Sequence, residues 1–245
     1  MWSCQDTFMY VYIRKKSRMY VKGRRGRNDF MRRTKAEAEQ TREAVLAAAI
    51  DVFLERGVTR ATLEQIASAA SVTRGAIYWH FHDKQEIFMA LERRANAPNE
   101  ELGDRLKTRL VADPRLDPLG ELASAIGQGL QAFETDPERS RILTILWLRC
   151  EYSDDMQPVV ARQRDADIAL QNVFESVIGQ AAERGLLAPA LSPELAARAL
   201  LLLVNGSVLD WLRAPAKFEL TASTTPMVIG FLEAIRAPAR PRRPR

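Results

Sequence analysis

From Glu39 onward the apolar residues recur at three- and four-residue spacing. Val45, Leu46, Ala49, Ile50, Phe53 and Leu54 predict an amphipathic first helix that Gly57 stops. Thr62 followed three residues later by Gln65 has capping-box spacing, and Leu63, Ile66, Ala67 and Ala70 give the short helix behind it one apolar side. Thr73 is placed to cap a third helix that opens Arg74-Gly75-Ala76. Asp83, with Glu86 three residues on, is placed to cap a fourth whose Ile87, Phe88 and Leu91 face the others. Three helices around a short turn, then a longer one, outline a helix-turn-helix domain.

Beyond Ala95 the pattern turns to longer helices punctuated by proline. Pro98 and the stretch Ala112 to Pro118 are expected to break the chain, Asp136-Pro137 and Ser192-Pro193 to start helices, and Gly185 and Ala214-Pro215 to stop them. No strand-length alternation and no repeat interrupts this, and the Pro/Arg tail from Ala237 to Arg245 is expected to fray. The helix from Leu195 to Arg213 carries the run Ala199 to Val204, ALLLLV, far short of the roughly 20 residues that span a bilayer. Its apolar surface serves either the core of the chain or, with the last helix around Ala222 to Ile235, a second subunit.

The third helix carries the chemistry. Turned by about 100° per residue, it collects Ala76, Ile77, His80 and Phe81 on one side and Arg74, Gly75, Tyr78 and Trp79 on the other. The first side packs. The second suits a DNA groove: Arg74 can donate two hydrogen bonds to guanine, Tyr78 can meet a thymine methyl or a phosphate, and the Thr73 hydroxyl with the helix amide end can hold another phosphate. Lys84 follows as a point charge for the DNA backbone.

Charge and composition narrow the picture. The chain has 245 residues with a formal charge of +5, but residues 1–30 hold eight of the 36 basic residues and two of the 31 acidic ones, so the remainder is near neutral. DNA binding therefore has to rest on local arrangement. The same thirty residues carry FMYVYI, Phe8 to Ile13, ahead of their basic residues, the reverse of a signal peptide. They read as a disordered basic extension upstream of a natural start at Met31, or as a basic arm for nucleic acid. Cys4 and Cys150 make neither a ligand set nor a disulfide framework, which suits a reducing compartment, the cytoplasm. No phosphate loop and no nucleophile elbow is present, and both histidines, His80 and His82, fall in the DNA-reading segment, so no enzyme is expected. No cofactor or metal is expected either, because His80-x-His82 has no carboxylate-histidine set around it. Trp147, Cys150, Glu151 and Tyr152 form either plain core or the lining of a cavity, where aromatics and one carboxylate suit cationic amphiphiles.

The stretch TLEQIASAASVTRGAIYWHFHDKQEIF, Thr62 to Phe88, resembles the DNA-binding domain of TetR-family transcriptional regulators. RRTKAEAEQTRE before it is similar to the start of AcrR-type members that repress multidrug efflux genes. Weaker similarity continues through LWLRCEY, Leu146 to Tyr152, and VLDWLRAP, Val208 to Pro215, to about residue 236. The resemblance implies an all-α chain of about nine helices. Residues 31–95 would be a helix-turn-helix domain and 96–236 a ligand-binding and dimerisation domain, flanked by disordered segments 1–30 and 237–245. It places DNA contacts on Thr62, Thr73, Arg74, Gly75, Tyr78, Trp79, His80 and Lys84, with Arg42 on a phosphate. The partners implied are a palindromic double-stranded operator, a second copy of the chain and a small hydrophobic or cationic inducer bound near Trp147, Glu151 and Tyr152, with no membrane. The function implied is ligand-responsive repression of a multidrug efflux operon; the rival is a constitutive DNA-binding regulator or activator. One departure stands out: where the family turn has glycine, this chain has Ser71, at a position where positive φ is expected.

Overall fold

The computed structural model describes residues 26–150, 157–189 and 191–238. Among them are nine α-helices: α1 Gly26–Arg56, α2 Leu63–Ala69, α3 Arg74–Tyr78, α4 Lys84–Ala112, α5 Pro118–Glu134, α6 Pro137–Leu148, α7 Gln157–Glu183, α8 Pro193–Arg213 and α9 Leu220–Ala234. A 3-10 turn, Pro215–Lys217, and one isolated bridge between Leu187 and Arg236 complete them. The chain divides into two compact units, Met1–Ala44 and Val45–Arg245, and α1 contributes to both.

In the first unit α1 is helical from Gly26, inside the stretch expected to be disordered; residues 1–25 lie outside the described residues. Thr41 donates its hydroxyl to the Glu37 carbonyl at 2.9 Å.

The second unit is built on the caps that the sequence advertises. Thr62 and Gln65 form the reciprocal capping box, Thr73 accepts from Ala76, Asp83 from Glu86, Asp136 from Arg139 and Ser192 from Leu195. Gly57 ends α1 at φ +77° with its N–H on the Phe53 carbonyl, and Ser71 takes the turn between α2 and α3 at φ +55°, the left-handed conformation expected of it. Ile50, Phe53, Ile66, Ile77, Ile87 and Phe88 close over this turn fully buried, with the Phe53 and Phe88 rings 6.2 Å apart.

The expected break at Pro98 does not occur, and α4 runs through it unbroken. Proline offers no N–H to the Arg94 carbonyl and crowds it, which ordinarily kinks a helix. Here side chains from other helices splint the gap. Arg139 on α6 donates Nε to the Ala95 carbonyl at 2.8 Å and Nη2 to Asn99 Oδ1 at 2.7 Å, one bond on each side of the proline. A turn earlier, buried Glu92 accepts from Asn96 Nδ2 at 2.7 Å and pairs with Arg162 on α7. The expected boundary at Ala95 thus falls inside this continuous helix.

Helices α5 to α9 pack mainly through α7 on α8, α9 on α5 and α9 on α8. Glu219 offers α9 no side-chain cap. Instead Glu134, at the end of α5, accepts the Leu220 N–H at 2.7 Å and the Thr221 N–H at 3.1 Å. Helix α8 has 21 residues, and by length and composition alone it is long and apolar enough to cross a membrane. In the fold its Ala196, Ala197, Leu200 and Leu201 are core. After α9 the Ala237 N–H still donates to the Leu186 carbonyl at 2.8 Å, so backbone pairing reaches into the start of the tail.

Candidate nucleic-acid interface and ligand cavity

Helix α3 is anchored on one side. Ile77 is fully buried and Phe81 2% exposed, and the His80 and Phe81 N–H groups both turn back to the Ile77 carbonyl, at 2.8 and 2.9 Å. The helix ends at Tyr78, with Trp79 as its C-cap, sooner than a full wheel to Phe81 assumes, but the two faces are preserved. Arg74, Gly75, Tyr78 and Trp79 lie on the outer face, where Trp79 is 81% exposed. An indole left this open forgoes most of its burial energy, so packing within the chain does not explain it. Nor does packing explain Gly75: a Cβ there would meet only the Thr73 hydroxyl, at 3.8 Å, yet glycine within a helix costs about 1 kcal/mol relative to alanine.

Arg74 is held in place. Its Nη2 donates to the Tyr78 hydroxyl at 2.8 Å, its guanidinium carbon stands 5.3 Å from the Tyr78 ring centre, and it pairs with Glu64 on α2. The Tyr78 hydroxyl and then the Glu64 charge raise the Arg74 pKa. Glu64 is lowered first by its own backbone N–H and then by Arg74. Thr62 and Thr73 stand exposed at the N-termini of α2 and α3, His80 is half-buried beside Phe81, and exposed His82 lies 3.2 Å from Asp83 Oδ2. Lys84 is also tied into the fold: Nζ donates to the Thr59 carbonyl at 2.9 Å and the Ala61 carbonyl at 3.1 Å, joining α4 to the loop before α2. Arg42 belongs to the first unit, where it pairs with Glu39 and Glu43. The outer face of α3 thus presents a fixed guanidinium, a phenol, an indole and an unobstructed backbone, chemistry that suits a nucleic-acid groove.

A second feature lies among α4 to α8: a cavity of about 430 Å³ walled by apolar side chains such as Leu106, Ile126, Phe133, Leu170 and Val208. Trp147 is among the residues that line it; Glu151 and Tyr152 lie outside the described residues. Polar groups in its wall that the sequence pattern did not single out include Asn96 and Asn99 on α4, Arg139 on α6, Asp167 on α7 and Asn205 on α8. They come from four helices, so no local motif joins them. Arg139 alone left a trace, a charge on the α6 stripe with Ile142, Leu143 and Leu146 at helical spacing. An adjoining cavity of about 480 Å³ shares Asn96, Trp147, Asp167 and Asn205. At this junction desolvation holds the Asp167 carboxyl above its ordinary pKa, offset in part by Asn205 Nδ2 at 3.4 Å.

The outward faces of α8 and α9 are apolar or bare. Leu202 is 65% exposed, Met227 and Ile229 are about half exposed, and a Cβ added at Gly206 or Gly230 would meet nothing within 4 Å.

Comparison with known proteins agrees with both halves of this description. Residues 45–91 match the family described as bacterial regulatory proteins, tetR family, and residues 117–237 match the C-terminal region of MAATS-type transcriptional repressors. The HTH-type transcriptional repressor BepR of Brucella suis is 42% identical over 209 residues, spanning 85% of this chain and 98% of BepR. The crystal structure of NalD, described as the secondary repressor of the MexAB-OprM multidrug efflux pump in Pseudomonas aeruginosa, superposes with a TM-score of 0.72 at 33% identity over 83% of this chain and 98% of NalD. A complex of SmeT with triclosan superposes with a TM-score of 0.67 at 28% identity, over 80% and 91%; SmeT is the repressor of the Stenotrophomonas maltophilia pump SmeDEF.

Proposed function

The chain belongs to the TetR family of bacterial regulatory proteins, and from that premise we propose that it is a homodimeric repressor of a multidrug efflux operon. It acts in the cytoplasm and lets go of a palindromic operator when a small hydrophobic molecule enters the α4–α8 cavity. The observation that carries the DNA half is the outer face of α3, where Arg74, Gly75, Tyr78 and Trp79 stand unburied over a helix whose inner side is core. Arg74 is assigned to a guanine edge, Tyr78 and Trp79 to thymine methyls and sugar, and Gly75 to close backbone approach. Thr62, Thr73, His80 and Lys84 are assigned to phosphates. Residues up to Ala95 serve this half, and 96–236 serve sensing and dimerisation.

The efflux target follows from the relatives, because BepR is named a repressor and NalD and SmeT are described as repressors of multidrug efflux pumps. The cavity supplies a place for an inducer, and α4 links it to Lys84 at the edge of the reading head. Release requires that ligand favour the DNA-incompetent form; a hundredfold preference gives about 2.7 kcal/mol of coupling. The test is fluorescence anisotropy on DNA from upstream of the chain's own gene. Saturable binding that random DNA competes poorly is expected, weakened by pump substrates that also perturb Trp147 fluorescence. Compounds that bind yet leave DNA affinity intact would instead identify a constitutive regulator.

A further inference from the structure

Resting on the reading of this cavity as the inducer site, we infer that its preferred ligand is an anionic amphiphile, an apolar body bearing a carboxylate that docks on Arg139. Of the charged side chains in the cavity wall, Glu100, Asp104, Lys107 and Asp167 are exposed, whereas Arg139 is 5% exposed. Among the described residues its guanidinium makes two hydrogen bonds, from Nε to the Ala95 carbonyl and from Nη2 to Asn99 Oδ1, both uncharged acceptors. Its other neighbour is the Phe133 ring, 5.6 Å from the guanidinium carbon. Asp136 acts on it only at longer range, with one carboxylate oxygen already accepting Arg139's own backbone N–H at 3.0 Å. Glu92, the other buried charge nearby, is neutralised by Arg162.

Burial lowers the Arg139 pKa, but a guanidinium keeps its proton, so the charge remains and, among the described residues, lacks a contacting counter-ion. Buried charges are ordinarily paired because desolvation is costly, and leaving one unpaired at a cavity wall is a feature that a ligand resolves. A carboxylate offers the acceptor geometry that the guanidinium fork prefers, while the apolar wall takes a chain or ring system. Asp167 is the competing charge, and it would select cations instead. It lies at the exposed junction of the two cavities and already accepts from Asn205 Nδ2 at 3.4 Å, so part of its charge is met before a ligand arrives.

The experiment uses three probes that share one chain and differ in the head group: decanoate, decan-1-ol and decyltrimethylammonium. Each is titrated into the full-length protein with Trp147 fluorescence and operator release as readouts. Decanoate is expected to bind at least about tenfold more tightly than decanol, because only a countercharge repays the dehydration of a carboxylate. In Arg139→Gln that preference should vanish while decanol binding persists. A purely structural Arg139 would lower stability in the variant and leave the head-group order unchanged, which overturns the proposal. An order led by decyltrimethylammonium also overturns it, in favour of Asp167. If Arg139→Gln fails to fold, the wild-type order decides. Decanol that binds and releases DNA without any decanoate preference sinks the head-group assignment and leaves the inducer cavity standing; failure of all three probes sinks both.

Discussion

Arg74 meets the solvent already in company, bound by Glu64 and Tyr78, so a guanine edge has to replace one of these partners rather than order a loose side chain. Arg74→Ala should therefore relax base preference by about 1–3 kcal/mol at one position of the site. Unchanged selectivity for operator over random DNA in an anisotropy competition would falsify its assignment. Lys84→Ala is expected to act twice. It should lower the salt slope of binding by about one unit, and it should also loosen the loop that Lys84 holds through the Thr59 and Ala61 carbonyls, visible as a lower Tm. Ser71→Gly should have the opposite sign on stability. At φ +55° a serine carries a left-handed strain of about 1–2 kcal/mol, and glycine relieves it at an entropic cost of about 0.5–1. Urea denaturation should show a net gain of up to about 1.5 kcal/mol, with DNA affinity unchanged.

Among the helices, what lies close in sequence was legible and what lies far apart was not. Thr62-Gln65, Asp136-Pro137 and Ser192-Pro193 announce their helix starts because the cap and the amides it satisfies are neighbours. Pro98 misled because its splint comes from Arg139 on another helix, and the second duty of Lys84 was hidden because its acceptors lie on the loop before α2. The inner and outer faces of α3 were legible from the wheel, whereas the polar wall of the cavity, drawn from α4, α6, α7 and α8, was not. The same long-range logic caps α9 through Glu134, and Glu134→Ala should cost about 0.5–2 kcal/mol by fraying its first turn. It also sets the acid response. Burial opposes ionisation of Glu134 and Asp117, but the Thr221 and Leu220 groups for the first, and Arg236 with the Gly120 and Leu119 amides for the second, outweigh it and lower both pKa values. Lowered carboxylates contribute stability above their unfolded pKa, about 4, that is lost as pH falls through the folded values. Denaturation midpoints should hold from pH 7 to about 5 and then drop, with the drop shallower in Asp117→Asn; the partial exposure of both groups keeps it modest.

At the scale of the whole molecule, reading a palindrome demands two α3 helices at a fixed distance of about 34–36 Å, one turn of DNA, and hence a rigid dimer. The bare faces of α8 and α9 are the surface available for it, so Leu202→Glu should give a monomer in sedimentation with helicity intact and operator affinity lost. A variant that stays dimeric would move the interface elsewhere. The splint across Pro98 also bears on how such a sensor changes over generations. Arg139 holds the helix that leads to the DNA-reading end and at the same time forms part of the chamber wall, so a substitution there cannot alter ligand range without loosening α4. Leu170, Val173 and Val204 line the same chamber and carry no such second duty in the hydrogen bonding of α4. Drift toward new inducers, whether by natural variation or by a directed library, is therefore channelled to the α7 and α8 side of the chamber, and the α4 and α6 side is held still by its own carpentry.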